Sequence, residues 1–244
     1  MILLLTGCIN PNGMLYTALS NTEERKTQYI EAINYYLSNT TYPIVFVENS
    51  GTDISHLFTD AIKSNRMEYL SFSGNNNKER GKGYGECEIL QYAINHSVLI
   101  NSAKEQRIAK ITGRLIIRNI KKIVWWHTLF SSQQTIFFAI NSDLTFPDSR
   151  FIIATKTFYQ TFLKSKDCIN DSAGYYFEHA LCDTIKREKG FAFSPFYIMP
   201  HIEGMSGSSG KLYDEGVTSF RSVIQYARYA FYLHRQFQRK YRSQ

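Results

Sequence analysis

Short apolar runs alternate along this chain with longer stretches of helical periodicity. Ile2-Leu3-Leu4-Leu5 and Ile44-Val45-Phe46-Val47 are apolar without alternation and too short for helices, the pattern of strands buried on both faces. Between them, Ile30, Ile33 and Leu37 recur at helical spacing, which predicts a helix over 22–37. Ser20 or Asn21 can cap it, and Glu23 and Glu24 stand in its first turn, where the helix dipole favours acids. Strand, helix and strand in this order make a βαβ unit with parallel strands. The same reading predicts strands over 67–73, 105–114, 134–140, 151–154 and 191–199. It predicts helices over 53–62, capped by Asp53, over 85–102, over 158–163, capped by Thr155, from 171 onward and from 219 onward, with a helix or turn over 115–126. The fold class is therefore α/β, a mainly parallel central sheet flanked by helices, plus a C-terminal amphipathic helix.

The polar segments that end these strands hold the candidate chemistry. Glu48-Asn49-Ser50-Gly51 follows the second strand at once, and open α/β sheets bind ligands at the carboxyl ends of their strands. Glu48 can accept hydrogen bonds from a ribose or base there, and Asn49, Ser50 and Gly51 can offer backbone amides. Thr6-Gly7 ends the first strand, before a polar loop over 10–21 that contains Tyr16. Gly74 to Glu86 is rich in glycine and includes Lys78, Arg80 and Lys82 ahead of a helix. It reads as a diphosphate contact at a helix N-terminus or as a surface loop. It lacks the GK[ST] ending of a Walker loop. Lys110 and Arg114 flank Thr112-Gly113 at a strand end, where two cations can neutralise a diphosphate or stand solvated on an edge strand. Glu178, set among aromatics beside His179, reads as a base of raised pKa or as a helix-surface acid. Pro200 to Gly210 has the composition of a lid or linker.

Composition narrows the class. The chain has 244 residues, 17 Tyr, 17 Phe and a net charge of +7, which suits an anionic ligand or surface. Its four cysteines are scattered, with no CxxC, as in a reducing compartment. The N-terminal apolar run is too short for a signal segment, no run approaches a membrane span, and there is no internal repeat. The expected location is cytoplasmic, or peripheral on the inner face of the cytoplasmic membrane. From Ser219 the chain holds Arg221, Arg228, Arg235 and Arg242 with no acid. This helix suits an anionic membrane interface or packs on the domain with its arginines solvated.

Together these segments resemble GT-A glycosyltransferases, the nucleotide-sugar-dependent enzymes with a Rossmann-like fold. Val47 to Asp53 is similar to the acidic turn of the family 2 type. Gly83-Tyr84-Gly85-Glu86 sits where that type has a Gly-containing segment opening a helix. Lys110-Ile111-Thr112-Gly113-Arg114 and Asp148-Ser149-Arg150-Phe151 match the short bacterial enzymes of capsule and O-antigen synthesis. The resemblance implies a catalytic domain over 1–210, with a donor half to about 118 and an acceptor half from about 119, and a basic tail over 211–244. It implies donor contacts from Thr6, Gly7, Glu48, Asn49, Ser50, Lys82, Gly83, Tyr84, Lys110, Gly113 and Arg114. Glu178 would be the base in an inverting displacement, with Asp143 and Glu86 as substitutes. The partners are a nucleotide-sugar donor and a saccharide acceptor, lipid-linked, with no nucleic acid. The sequence departs from the family's Asp-x-Asp, since Ile111 to Arg114 takes its place. No cofactor is firmly implied: the two cations replace a metal, or Asn141-Ser142-Asp143, with His201, holds Mn or Mg. The alternatives are a sugar-phosphate nucleotidyltransferase, which would want basic residues after its first strand, and a non-catalytic binder of anionic membranes or nucleic acid.

Overall fold

A computed structural model describes residues 1–13, 18–102, 107–207, 210–215 and 219–242. Tyr16, Glu105 with Gln106, and Ser208 with Ser209 lie outside the described residues. The elements in order are β1 (Ile2–Gly7), α1 (Thr22–Asn39), β2 (Ile44–Glu48), α2 (Thr59–Lys63), β3 (Met67–Ser71), α3 (Lys82–His96), α4 (Val98–Ser102) and β4 (Arg107–Thr112). Then follow β5 (Ile116–Ile117), α5 (Ile120–Leu129), β6 (Thr135–Phe137), β7 (Phe151–Thr155), α6 (Lys156–Leu163), α7 (Phe177–Arg187), β8 (Ala192–Ser194), β9 (Ile202–Met205), β10 (Leu212–Glu215) and α8 (Phe220–Tyr241). Asn21 caps α1 by accepting from Glu24 N, and Thr155 caps α6 by accepting from Phe158 N, as the sequence predicts.

Seven strands form one sheet in the order β3-β2-β1-β4-β7-β6-β8. The pairs among β3, β2, β1 and β4 are parallel, as is β6 with β8, while β7 runs antiparallel to both β4 and β6. Alternate residues feed two cores. Ile2, Leu4, Val45 and Val47 pack against α3, α6, α7 and α8, whereas Leu3, Leu5, Ile44 and Phe46 pack against α1 and α5. Burial on both faces is why these strands read as unbroken apolar runs.

Several boundaries differ from the sequence reading. The helix expected over 85–102 breaks at Ser97, whose hydroxyl and following amides are held by Glu68. Asp53 accepts from Ser55 N in a turn but does not cap a helix; a short 3-10 turn from Ser55 to Phe58 precedes α2. The final strand expected over 191–199 is confined to Ala192–Ser194. The Gly/Ser segment expected as a loop contains β9, which pairs with β5 and β10 in a second, three-stranded sheet. The helix expected to open at Asp171 begins at Phe177, after a 3-10 turn over Asp171–Ala173. Helix α8 packs on the domain, with Leu233 and Phe237 in the core beside Phe193.

Candidate active site

A cleft of about 720 Å³ opens where β1 and β4 end. Its walls come from Thr6 and Gly7 at the end of β1 and Cys8 after it, from the first turn of α3, and from the loop entering β7. The start of α7 and the end of β9 complete it. These are the strand ends at which an α/β sheet can hold a ligand without disturbing its core.

One corner of the cleft is cationic. Arg25 and Arg114 are both buried, at 6% and 8% exposure. Arg25 donates to Cys8 O at 2.8 Å and to Leu19 O at 3.1 Å, and Arg114 donates to Met205 O at 2.6 Å. Neither forms an ion pair among the described residues, and the Arg114 Nε is buried with no hydrogen-bond partner. Lys82 lies within their field. Burial first, then the charges of Arg25 and Arg114, lower its pKa to about 8. Buried guanidinium groups without a counter-ion are costly, so Arg25 and Arg114 suit this corner to an anion.

Across the cleft the charges close on one another. Lys110 extends from β4 on the same face as Ile108 and is 1% exposed. Its Nζ lies 2.6 Å from Glu86 Oε1 and 2.6 Å from Ser149 O. Thr6 Oγ1 donates to the same Glu86 oxygen at 2.8 Å. Ser149 then donates its hydroxyl to Glu178 Oε1 at 2.5 Å. Burial raises the pKa of Glu178 against the opposing pull of that hydrogen bond and of Lys110. A carboxylate of raised pKa at the wall of a cleft can accept a proton from a bound hydroxyl.

The cleft brings together Thr6, Gly7, Asn49, Lys82, Gly83, Glu86, Lys110, Arg114 and Glu178. Glu48, Ser50, Tyr84, Gly113 and Asp143 are not in its walls. Glu48 is fully buried and accepts from the backbone amides of Ile9, Ser50 and Thr52 and from Ser71 Oγ, so it ties the β1 and β2 turns together where a ribose or base contact was expected. Ser50 braces the same turn through Asn10 N. Tyr84 is buried beneath the Arg80 guanidinium. Gly113 gives close approach to protein, not ligand: its N–H donates to Thr6 O at 2.8 Å, and a Cβ there would lie 2.7 Å from that oxygen. Asp143 is exposed and accepts from Thr145 N at 2.9 Å within its own loop. The N-terminus of α3, expected to meet a diphosphate, already has an anion: Gly83 N donates to Asp171 Oδ2 at 3.0 Å.

Arg25, Asp171, Asp148 and Arg150 also line the cleft, and the sequence reading assigned them no role there. Arg25 had a signal. Positions 25, 29, 32, 33 and 36 fall on one helical face, and all are buried, so an arginine stood at a core position of α1. Asp148 and Arg150 pair with each other at 2.7 Å. Asp171 left no comparable trace, because its contact with α3 spans distant parts of the chain.

No group of three or more His, Cys, Asp or Glu able to hold a metal occurs among the described residues. Glu86, Asp148 and Glu178 are each committed to a protein donor, and His201 Nε2 faces Glu203 at 3.4 Å while Asp143 turns back on Thr145. Among the described residues the donor set does not fit a protein-held Mn or Mg ion. No helix among the described residues is long and apolar enough to cross a membrane.

No family profile and no curated protein matches this chain. Solved structures do resemble it. The glycosyltransferase GlyE of Streptococcus pneumoniae TIGR4 superposes with a TM-score of 0.50 and 8% identity, over 100% of this chain and 65% of its own. A cytidylyltransferase from Leptospira borgpetersenii gives 0.47 at 11% identity over 95% of both chains. Core-mannan synthase A of Aspergillus fumigatus, in a Mn/GDP form, gives 0.40 at 11% identity over 95% of this chain and 84% of its own. At these identities the likeness concerns the fold alone, and the fold is GT-A-like.

Proposed function

We propose that this chain is a nucleotide-sugar-dependent glycosyltransferase acting by a single inverting displacement. The observation that carries the reading is the pair of buried arginines, Arg25 and Arg114, beside Lys82 and facing Glu178 across one cleft. The cations hold the donor's phosphates and stabilise charge as it develops on them. Glu178 takes the acceptor hydroxyl's proton as that oxygen bonds the anomeric carbon. The bond from that carbon to the phosphate oxygen breaks, and the nucleotide leaves. Lys110 is committed to Glu86 and Ser149, so its part is to order the base side of the cleft.

A second reading, nucleotidyl transfer from a nucleoside triphosphate to a sugar phosphate, is favoured by Arg25. The loop after β1 has no basic residue of its own, but Arg25 of α1 supplies one by hydrogen-bonding Cys8 O. A thermal-shift screen of UDP-, GDP-, CMP- and dTDP-sugars, followed by product analysis, separates the two. Release of the nucleotide with transfer of the sugar is expected. Release of pyrophosphate from a nucleoside triphosphate would establish the second reading instead.

The acceptor we propose is lipid-linked, of the kind used in bacterial surface polysaccharide synthesis, with α8 touching an anionic membrane. In support, α8 exposes Phe220, Phe231 and Tyr232 and contains arginines but no acid from Phe220 to Tyr241. Because Leu233 and Phe237 are core residues, the test spares them. Replacing Phe231 and Tyr232 by Ser should lower co-sedimentation with phosphatidylglycerol vesicles at unchanged Tm; equal sedimentation would remove the membrane from this account.

A further inference from the structure

At the mouth of the cleft, beside Glu178, two large aromatic side chains remain exposed. Phe146 and Tyr176 both line the cleft and are each 40% exposed. Their rings lie 6.3 Å apart at 73°, so they form a corner: one presents a face where the other presents an edge. His179 is packed behind both, 5.4 Å from Phe146 and 5.3 Å from Tyr176, and its Nδ1 accepts from Tyr176 N at 3.2 Å. His179 thus fixes the corner's angle, a use for the side chain that follows Glu178.

The loop that presents Phe146 is held in an unfavourable shape. Leu144 is buried with φ at +63°, a region that a branched residue rarely enters. Asn141 Oδ1 accepts from both Thr145 N and Phe146 N, Asp143 accepts from Thr145 N, and Ile140 bridges Pro147. Leu144 O also accepts from Cys182 Sγ of α7 at 3.3 Å, fastening the loop to the helix that carries Glu178. Many contacts therefore maintain a conformation whose visible product is an apolar ring left in water at the cleft mouth.

We infer that Phe146 and Tyr176 form the acceptor subsite and that its ligand is a pyranose ring. The inference rests on the transferase reading above. The axial C–H face of a sugar carries partial positive charge and is apolar, which complements the negative face of an aromatic ring. A sugar stacked in this corner directs its hydroxyl edge toward Glu178, two residues from Tyr176. Arg25, Lys82 and Arg114, the cations proposed for the donor's phosphates, come from other segments of the cleft wall.

Saturation-transfer NMR with lactose, methyl α-glucoside, methyl α-mannoside and methyl β-galactoside tests this on the full chain. At least one probe should receive saturation at its ring C–H protons. Phe146→Leu, which keeps apolar volume and loses the ring, should weaken that probe about tenfold, as should Tyr176→Ala. Tyr176→Phe and Phe146→Tyr should bind as before and serve as fold controls. Thermal shifts by UDP and GDP should be unchanged in all four variants. No transfer to any probe overturns the proposal, as does an equal loss of nucleotide shift, which would make the corner a nucleobase site. Saccharide binding without any nucleotide-sugar shift would retain the corner and sink the transferase reading; nucleotide-sugar turnover without saccharide contact at these rings would do the reverse.

Discussion

The two sides of the cleft treat charge in opposite ways. At the corner shared by Arg25, Lys82 and Arg114, the arginines donate to backbone carbonyls and to the neutral side chains of Tyr29 and Gln28, and meet no carboxylate among the described residues. On the other side, Thr6, Glu86, Lys110, Ser149 and Glu178 form a continuous chain of contacts in which each charge has a partner. Each set has a buried cation at its centre, Arg25 and Arg114 on one side and Lys110 on the other, so the difference is not one of exposure. An uncompensated buried charge stores binding energy for a ligand, whereas a compensated one fixes geometry. The first side is thus suited to affinity and the second to chemistry, and replacing one residue on each should affect different constants.

The largest effect is expected from Glu178→Gln. The amide cannot take a proton, and general-base catalysis contributes ~10²–10⁴-fold. Turnover should fall by that order while the donor's dissociation constant, measured calorimetrically, stays within about twofold. Near-normal turnover would remove Glu178 from the role and erase the contrast between the sides.

Arg114→Gln should do the converse. Charge-assisted hydrogen bonds contribute roughly 1.5–3 kcal/mol each, so nucleoside diphosphate affinity should weaken by about 10–100-fold. The substitution retains a donor for Met205 O, 2.6 Å away in the wild type, so Tm is the control for collapse of the β9 wall. An unchanged affinity at unchanged Tm would mean that the cationic corner serves the fold alone.

How much of this the sequence disclosed follows the same division. The β1-α1-β2 unit was legible because burial on both faces leaves uninterrupted apolar runs, and the place of Lys110, Arg114 and Glu178 in the cleft wall was legible because each breaks a local pattern. Glu48 was placed correctly at a strand end, yet its lone pairs go to Ile9, Ser50 and Thr52, which no local reading of its turn could foresee in full. The antiparallel β7 was hidden because Phe151 to Ala154 reads the same in either direction. Asp171 reaches α3 from 88 residues away, so nothing near either segment marks it. The pairing of Lys110 with Glu86 depends on the sheet bringing β4 beneath α3, and only the assembled fold shows that this cation is already taken.

The finest division between the sides should appear with pH. Lys82 has an ordinary value of 10.5, lowered to about 8 by burial and by Arg25 and Arg114. Below that value it is an ammonium and adds to the anion site; as pH rises through it, the proton leaves and that contribution goes. A bound phosphate favours the ammonium, so binding takes up a proton above about 8. By linkage the affinity then falls, by at most about tenfold per pH unit. Glu178 works in the other direction. Its pKa is raised, so the acid limb of turnover should sit above the usual carboxylate range, and activity should be lost as pH falls. Calorimetric titration of UDP or GDP from pH 6.5 to about 9.5 isolates the first limb. Lys82→Gln should flatten it while leaving the acid limb of turnover in place. A curve that stays steep in Lys82→Gln would assign the basic limb to another group and would show that the two arginines form the anion site without it.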